Sequence, residues 1–190
     1  MRFEITFDYL CPFARNANEA VVEGLRQGRD WDVAFRPFSL AEVHVEEGEP
    51  SVFEDTTKSG ILALQWGVAI RDNDPENFPA AHVALFGARH DDGLDISDES
   101  VIRSALADTG ADIEAIAEIV ASGVPAKTLA SEHTEAVDRW QVFGVPTFIQ
   151  DGVATFMRFM SRGDVDDLDR ALEMLDWQDM NEFKRTVAPR

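Results

Sequence analysis

The sequence predicts an α/β fold in which a four-stranded mixed sheet carries helices on both faces. Three observations support this prediction. Residues 1–38 show the pattern strand, helix, strand; residues 51–143 show helical signals alone; and the last part of the chain shows a hairpin followed by a helix. The chain has 190 residues, of which 45% are hydrophobic, so it can bury a core.

The first part of the chain predicts a βαβ unit. Residues 2–8 alternate apolar and polar side chains with period two, which indicates a strand. Pro12 suits the first position of a helix, and Gly28 suits its end. Residues 31–38 alternate again as a second strand. Because a helix of this length joins the two strands, we expect them to be parallel and connected by a right-handed crossover.

The long middle segment shows helical spacing of its apolar residues and no strand signal. We expect five helices here: one at residues 61–70, one from Pro75 to His90, one capped by Ser97, one opening at Asp112 and one opening at Val124-Pro125. The segment therefore forms a helical block.

The last part of the chain predicts a β-hairpin and a helix. Residues 144–146, Gly-Val-Pro, end the helical pattern, and residues 147–150 are strand-like. Asp151-Gly152 is a strong hairpin turn signal, after which residues 153–157 return as the partner strand. Asp164 begins the final helix.

The order βαβ, helical block, ββα is that of the thioredoxin fold with a helical insertion after the second strand. We expect residues 1–50 and 144–190 to form the thioredoxin-like domain and residues 51–143 to form the inserted helical domain.

Charge and composition exclude some partners. The net charge of −19 argues against binding to nucleic acid or to anionic membranes, which would repel the chain. No apolar run reaches the ~20 residues of a membrane helix. Residues 1–8 lack the basic start and apolar block of a secretory signal, so we expect a cytoplasmic protein. The acid-rich, lysine-poor surface fits either a high-salt cytoplasm or a GC-rich genome, and we favour the second explanation.

Cys11 is the only cysteine of the chain, so it has no internal disulfide partner. It stands where the first strand ends and the first helix begins. A helix N-terminus stabilises a thiolate, so we expect a reactive thiol with a pKa below the free value of ~8.5. The alternative is a buried and inert cysteine, since free cysteine is often buried.

The string Gly144-Val145-Pro146-Thr147 precedes the third predicted strand. In thioredoxin folds a cis proline at this place faces the reactive sulfur, and the backbone before it pairs with an extended substrate. We therefore expect a cis bond between Val145 and Pro146. The alternative is an ordinary trans proline that opens a strand.

Two stretches resemble a known family. Residues 7–13, Phe-Asp-Tyr-Leu-Cys-Pro-Phe, and residues 143–152, Phe-Gly-Val-Pro-Thr-Phe-Ile-Gln-Asp-Gly, resemble the DsbA-like oxidoreductase superfamily in its cytoplasmic branch. That branch contains FrnE-like proteins, hydroxychromene-carboxylate isomerases with kappa-class glutathione transferases, and mycothiol-dependent nitroreductases. The resemblance implies Cys11 as catalytic residue, with a thiol- or substrate-binding set formed by Pro12, Phe13, Val145, Pro146 and Thr147.

The sequence departs from the family at Ala14, where its oxidoreductases place a second cysteine. Without that cysteine, Cys11 needs another thiol to resolve a mixed disulfide. A second departure is the stretch Phe156-Met157-Arg158-Phe159-Met160, because relatives often carry glycine directly after the matching aromatic residue, and we expect a different substrate wall here.

The isomerase and transferase branch instead has serine at the Cys11 position and holds the sulfur of a small thiol. Three functions stay open: a monothiol oxidoreductase using a low-molecular-weight thiol, a glutathione-transferase-like or isomerase enzyme using a bound thiol cofactor, and a non-catalytic binding module.

We expect no tightly bound cofactor, with glutathione or mycothiol as cosubstrate and a small apolar or disulfide substrate. The chain is expected to be a monomer or homodimer. Arg162, just before the last helix, fits a carboxylate of the thiol, or is a plain surface arginine. The four histidines show no metal-ligand spacing, so we expect no metal site.

Overall fold

The computed structural model describes residues 1–46, 48–55, 57, 60–177, 179 and 181–182. Four strands form one mixed sheet in the order β2-β1-β3-β4. In chain order the elements are β1 (Arg2–Phe7), α1 (Pro12–Arg26), β2 (Asp32–Pro37), α2 (Leu40–Val43), a 3-10 helix (Val52–Glu54), α3 (Ile61–Asn73), α4 (Phe78–His90), α5 (Glu99–Leu106), α6 (Ile113–Ala121), α7 (Val124–Trp140), β3 (Thr147–Gln150), β4 (Val153–Phe156) and α8 (Val165–Leu175).

This order confirms the predicted thioredoxin fold with a helical insertion after the second strand. β1 and β2 are parallel, from the pair Arg2 and Asp32 to the pair Phe7 and Pro37. The helix between them begins at Pro12 with Cys11 as its N-cap residue. Gly28 follows its end with a φ of 84°, a conformation that glycine adopts at little cost.

The inserted helices follow the predicted pattern with three differences. The helix predicted from Pro75 begins at Phe78, with Asn77 as its N-cap residue. The N-cap of α5 is Asp98 rather than Ser97, because the Asp98 carboxylate accepts the Ser100 N–H at 2.8 Å while the Ser97 hydroxyl donates to Asp95. The structure also contains α2 and the 3-10 helix, which are too short to show a period in the sequence. The predicted N-cap Asp112 of α6 is confirmed.

The C-terminal part is the predicted hairpin and helix. Asp151 and Gly152 have φ angles of 50° and 81°, as the turn of a two-residue hairpin requires. Asp164 caps α8 and accepts the N–H of Asp167 at 3.0 Å. Residues 183–190 of the predicted thioredoxin-like domain lie outside the described residues.

The core is centred on β1, which lies between β2 and β3. Phe3, Ile5 and Phe7 are at most 1% exposed and pack among the helices. Because this strand is held on both edges, its C-terminal end is a fixed platform for residues 8–11. Within the described residues, no helix combines the length and the apolar character needed to cross a membrane.

Candidate active site

The structure brings the two sequence motifs together at Cys11. Its sulfur accepts a hydrogen bond from the backbone N–H of Ala14 at 3.4 Å and donates one to the carbonyl oxygen of Val145 at 3.4 Å. The Val145–Pro146 peptide bond is cis. The thiol therefore lies between the first turn of α1 and the proline loop before β3, 134 residues apart in the chain.

The pKa of Cys11 differs from the expected one. Cys11 is only 8% exposed, and this burial raises the pKa of its thiol. Hydrogen bonds from the backbone of Ala14 and Phe13 lower the pKa, but they do not outweigh burial. The prediction of a lowered pKa is therefore wrong for the free protein, and the thiol is protonated at neutral pH.

Asp8 is a second ionisable group beside the thiol. It is 1% exposed, and its two carboxylate oxygens accept the N–H groups of Leu10 at 2.9 Å and Leu40 at 2.8 Å. Burial raises the pKa of Asp8 to about 6, although both hydrogen bonds lower it. When ionised, Asp8 raises the pKa of the Cys11 thiol through its negative charge. Asp8 thus ties the Cys11 loop to α2.

A buried polar chain supports the first turn of α1. The Tyr9 hydroxyl lies 2.9 Å from Nδ1 of His82, and Nε2 of His82 lies 3.1 Å from Oδ1 of Asn18. Asn18 in turn donates to the carbonyl of Ala14 at 2.9 Å. Burial lowers the pKa of His82 to about 3, so its ring is neutral. Nε2 then carries the proton, because Asn18 presents an oxygen, and Nδ1 accepts from Tyr9.

His82 illustrates what periodicity alone does not reveal. The sequence shows it only as one histidine on a helical segment. Its role arises because α4 packs across β1 and α1. This packing brings His82 into contact with Tyr9, from which it is 73 residues distant in the sequence.

The exposed rim of the site combines aromatic rings with one cation. Pro12 is exposed and Phe13 is half-buried. The guanidinium carbon of Arg158 lies 5.2 Å from the centre of the Phe13 ring and 5.6 Å from that of Phe156. Its positive charge lowers the pKa of the Cys11 thiol, in opposition to burial. The sequence indicated only that the segment after β4 departs from its relatives.

The proline loop, residues 144–147, is buried and is held by hydrogen bonds on its inner side. Val145 is 3% exposed, Pro146 is buried, and Thr147 is 2% exposed. The Thr147 hydroxyl donates to the carbonyl of Gly144 at 2.7 Å, and its N–H donates to the Thr6 hydroxyl at 2.8 Å. Thr147 therefore shapes the loop from the inside. Its role in binding a thiol or substrate stays a prediction.

Arg162 has other partners than the thiol. Its guanidinium forms ion pairs with Glu19 on α1 and with Asp91 after α4. Arg15 binds the same two carboxylates, so the four side chains form one network. The thiol-binding role of Arg162 stays a prediction, and a ligand carboxylate would have to compete with this network.

His90 and His133 bond backbone groups and not the Cys11 sulfur: Nε2 of His90 lies 2.9 Å from the carbonyl oxygen of Tyr9. His133 is buried and accepts the N–H of Ser39, and burial lowers its pKa to about 4. Across the part of the chain that the structure describes, no three His, Cys, Asp or Glu side chains are placed to hold a metal ion. A cavity of about 510 Å³ opens beside β2, lined in part by Phe35, Arg71 and Phe78; Cys11 does not line it.

Fold and site together define a thioredoxin-fold protein with one thiol at a helix N-terminus opposite a cis proline. Residues 3–173 match the family described as DSBA-like thioredoxin domain, and the chain belongs to this family. No curated protein matches the sequence.

Solved structures share the fold at low identity. A 2-hydroxychromene-2-carboxylate isomerase has 18% identity and a TM-score of 0.66, covering 94% of this chain and 97% of its own. The cytosolic disulfide reductase DsbM from Pseudomonas aeruginosa, solved with GSH, has 16% identity and a TM-score of 0.64, covering 93% and 100%. A probable DsbA oxidoreductase from Streptomyces coelicolor has 16% identity and a TM-score of 0.64, covering 99% and 94%. At these identities the likeness concerns the fold alone.

Proposed function

We propose that the protein is a monothiol oxidoreductase in which Cys11 exchanges disulfides with a low-molecular-weight thiol. The observation that carries the proposal is the placement of the sulfur against the Ala14 N–H and the Val145 carbonyl, at the start of α1 and beside the cis proline. The donor at Ala14 can stabilise a sulfur anion, and the edge of the proline loop can receive an extended disulfide.

The reaction that this site supports has two exchanges. The Cys11 thiolate attacks one sulfur of a small disulfide, forms a mixed disulfide and releases the other half as a thiolate, which takes up a proton. A free small thiol, losing its own proton, then attacks the substrate sulfur of the mixed disulfide and releases Cys11. The net change is one disulfide and one thiol converted into another disulfide and another thiol. The external thiol is required because Cys11 is the only cysteine.

The raised pKa of Cys11 sets the pH dependence of this reaction. Because burial keeps most of the sulfur protonated at neutral pH, the attacking thiolate is a minor species. Mixed-disulfide formation should therefore be slow at pH 7 and should become faster as the pH rises through the pKa of the thiol.

The protonated sulfur also supports a second candidate function. The thiol donates a hydrogen bond to the Val145 carbonyl, and burial favours this neutral form. A neutral S–H can donate instead to the sulfur of a bound thiol cofactor and orient it. That chemistry belongs to a glutathione-transferase-like or isomerase enzyme. In that branch of the family a serine stands at the position of Cys11.

Two variants separate the candidates. Wild type, Cys11→Ser and Cys11→Ala are assayed for glutathione-dependent reduction of a small disulfide and of a nitro compound. If the protein is an oxidoreductase, wild type reduces the small disulfide and both variants do not. Mass spectrometry then also shows a glutathionyl adduct on wild type. The second candidate instead predicts activity that Cys11→Ser retains and Cys11→Ala loses. A wild type without adduct and without activity leaves only a binding module.

A further inference from the structure

Arg158 is unusual among the cations of this acidic protein. Of the arginines that the structure describes, all but Arg89 and Arg158 form an ion pair with a carboxylate. The chain has 36 acidic residues and only 17 basic ones, so acidic partners are abundant. Arg158 is exposed and has no carboxylate partner among the described residues, so its charge is available to a ligand.

Two aromatic rings hold the guanidinium of Arg158 in place. Its carbon lies 5.2 Å from the centre of the Phe13 ring and 5.6 Å from that of Phe156, within the range of cation–π contacts. Rings contact the flat faces of a guanidinium and leave its N–H edges for hydrogen bonds. The side chain is thereby ordered before any ligand binds, which lowers the entropy cost of binding.

Backbone contacts fix the position of Arg158 next to the thiol. The N–H of Met157 donates to the carbonyl of Pro146 at 3.2 Å, and Asn16 on α1 donates to the carbonyl of Phe159 at 2.8 Å. Arg158 thus stands between the proline loop and the first helix, the two elements that hold Cys11. It is also the cation whose charge acts on the Cys11 thiol.

We infer that Arg158 is a specificity-determining residue that binds a carboxylate of the thiol or disulfide partner of Cys11. The inference rests on the proposed function and narrows it: the partner is a low-molecular-weight thiol that carries a carboxylate, rather than an uncharged one. The N–H edge of the guanidinium matches a carboxylate in a bidentate pair. Because the net charge of −19 repels anions elsewhere, an anionic partner gains most from a local cation.

The test compares two disulfide reagents that differ in charge. Dithiobis(nitrobenzoate) carries a carboxylate on each ring, and dithiodipyridine carries none. With either one, the Cys11 thiolate forms a mixed disulfide and releases one aromatic thiolate, which stopped-flow absorbance records. The ratio of the two rates reports carboxylate recognition, because a changed thiolate fraction at Cys11 affects both reagents alike.

Arg158→Gln should lower the ratio of carboxylate to uncharged reagent by about 5- to 20-fold, the range of one charge-assisted contact at an exposed site. Arg158→Lys keeps the positive charge but cannot form the bidentate pair, so its ratio should lie between those of wild type and Arg158→Gln. Lys127→Gln is the matched control: Lys127 forms no ion pair among the described residues, and its loss changes the net charge equally, so the ratio should stay at the wild-type value. An Arg158→Gln ratio equal to that of wild type overturns the inference.

A binding measurement keeps this inference separate from the proposed function. In Cys11→Ser, titration calorimetry compares glutathione with its diester, which lacks free carboxylates. The inference is supported if Cys11→Ser binds glutathione more tightly than the diester and if the double variant with Arg158→Gln loses this difference. This holds even if wild-type Cys11 forms no adduct. Equal binding of acid and diester overturns it, while adduct formation on wild type would still support the oxidoreductase.

Discussion

Replacing Asp8 by asparagine should change how the stability of the protein depends on pH. Burial raises the pKa of Asp8 from 3.8 to about 6. Below pH 3.8 the folded and unfolded chains both hold the proton, and the stabilisation from this group is fully present. As the pH rises to about 6, the unfolded chain releases its proton more readily, so the stabilisation is lost.

The size of the effect follows from the shift. About 2.2 pKa units at about 1.36 kcal/mol each give about 3 kcal/mol, lost on going from acid to neutral pH. Asparagine has no proton to release, and its oxygen accepts one of the two N–H groups of Leu10 and Leu40. The effect of the substitution on the free energy of unfolding of the variant is therefore constant with pH. The contributions of the other carboxylates are the same in both proteins and cancel in the difference.

The assay is urea unfolding of wild type and Asp8→Asn between pH 4 and pH 7.5, followed by tryptophan fluorescence. The free energy of unfolding of wild type minus that of the variant should fall as the pH rises. Asp98→Asn serves as a control whose difference stays nearly flat over this range, because hydrogen bonds from Ser100 lower the pKa of Asp98 below its ordinary value of 3.8. Its stabilisation is present above the unfolded pKa and lost on acidification. A flat or rising difference for Asp8→Asn would refute the argument.

Three further changes test the surroundings of the thiol. Ala14→Cys should form an internal disulfide with Cys11 under mild oxidant, because position 14 lies one helical turn from Cys11. Mass spectrometry should show the loss of two protons; a fully reduced product would mean that position 14 does not face Cys11. Tyr9→Phe should lower the free energy of unfolding by about 1–3 kcal/mol, since it leaves Nδ1 of buried His82 without a donor. Gly67→Ala should cost about 1–2 kcal/mol by urea unfolding, because its Cβ would stand 2.4 Å from the Tyr9 hydroxyl; unchanged stability would mean that α3 shifts freely.

Local signals were sufficient for most of the fold. The alternation of residues 2–8, the Pro12 helix start and the Asp151-Gly152 turn each depend on neighbouring residues, so the sequence predicts them directly. The meeting of Cys11 with Val145 could be predicted only because the two motifs resemble a known family.

The sequence was insufficient where packing between distant segments decides the outcome. The direction of the Cys11 pKa depends on how deeply the insertion and the proline loop bury the sulfur, which no spacing reveals. The same holds for the partners of Arg162 and for the position of Arg158, which is set by hydrogen bonds to Pro146 and to α1.

Under the proposed monothiol function, an external thiol rather than the protein controls turnover. Once Cys11 has formed a mixed disulfide, nothing in the chain can release it, because no other cysteine exists. Release then depends on the rate at which an external thiol reaches Cys11, a residue that is only 8% exposed. The exposed side of the site is the rim of Pro12, Phe13 and Arg158. Under the same proposal, we expect the residue that selects the external thiol to lie on this rim, where Arg158 is the charged residue.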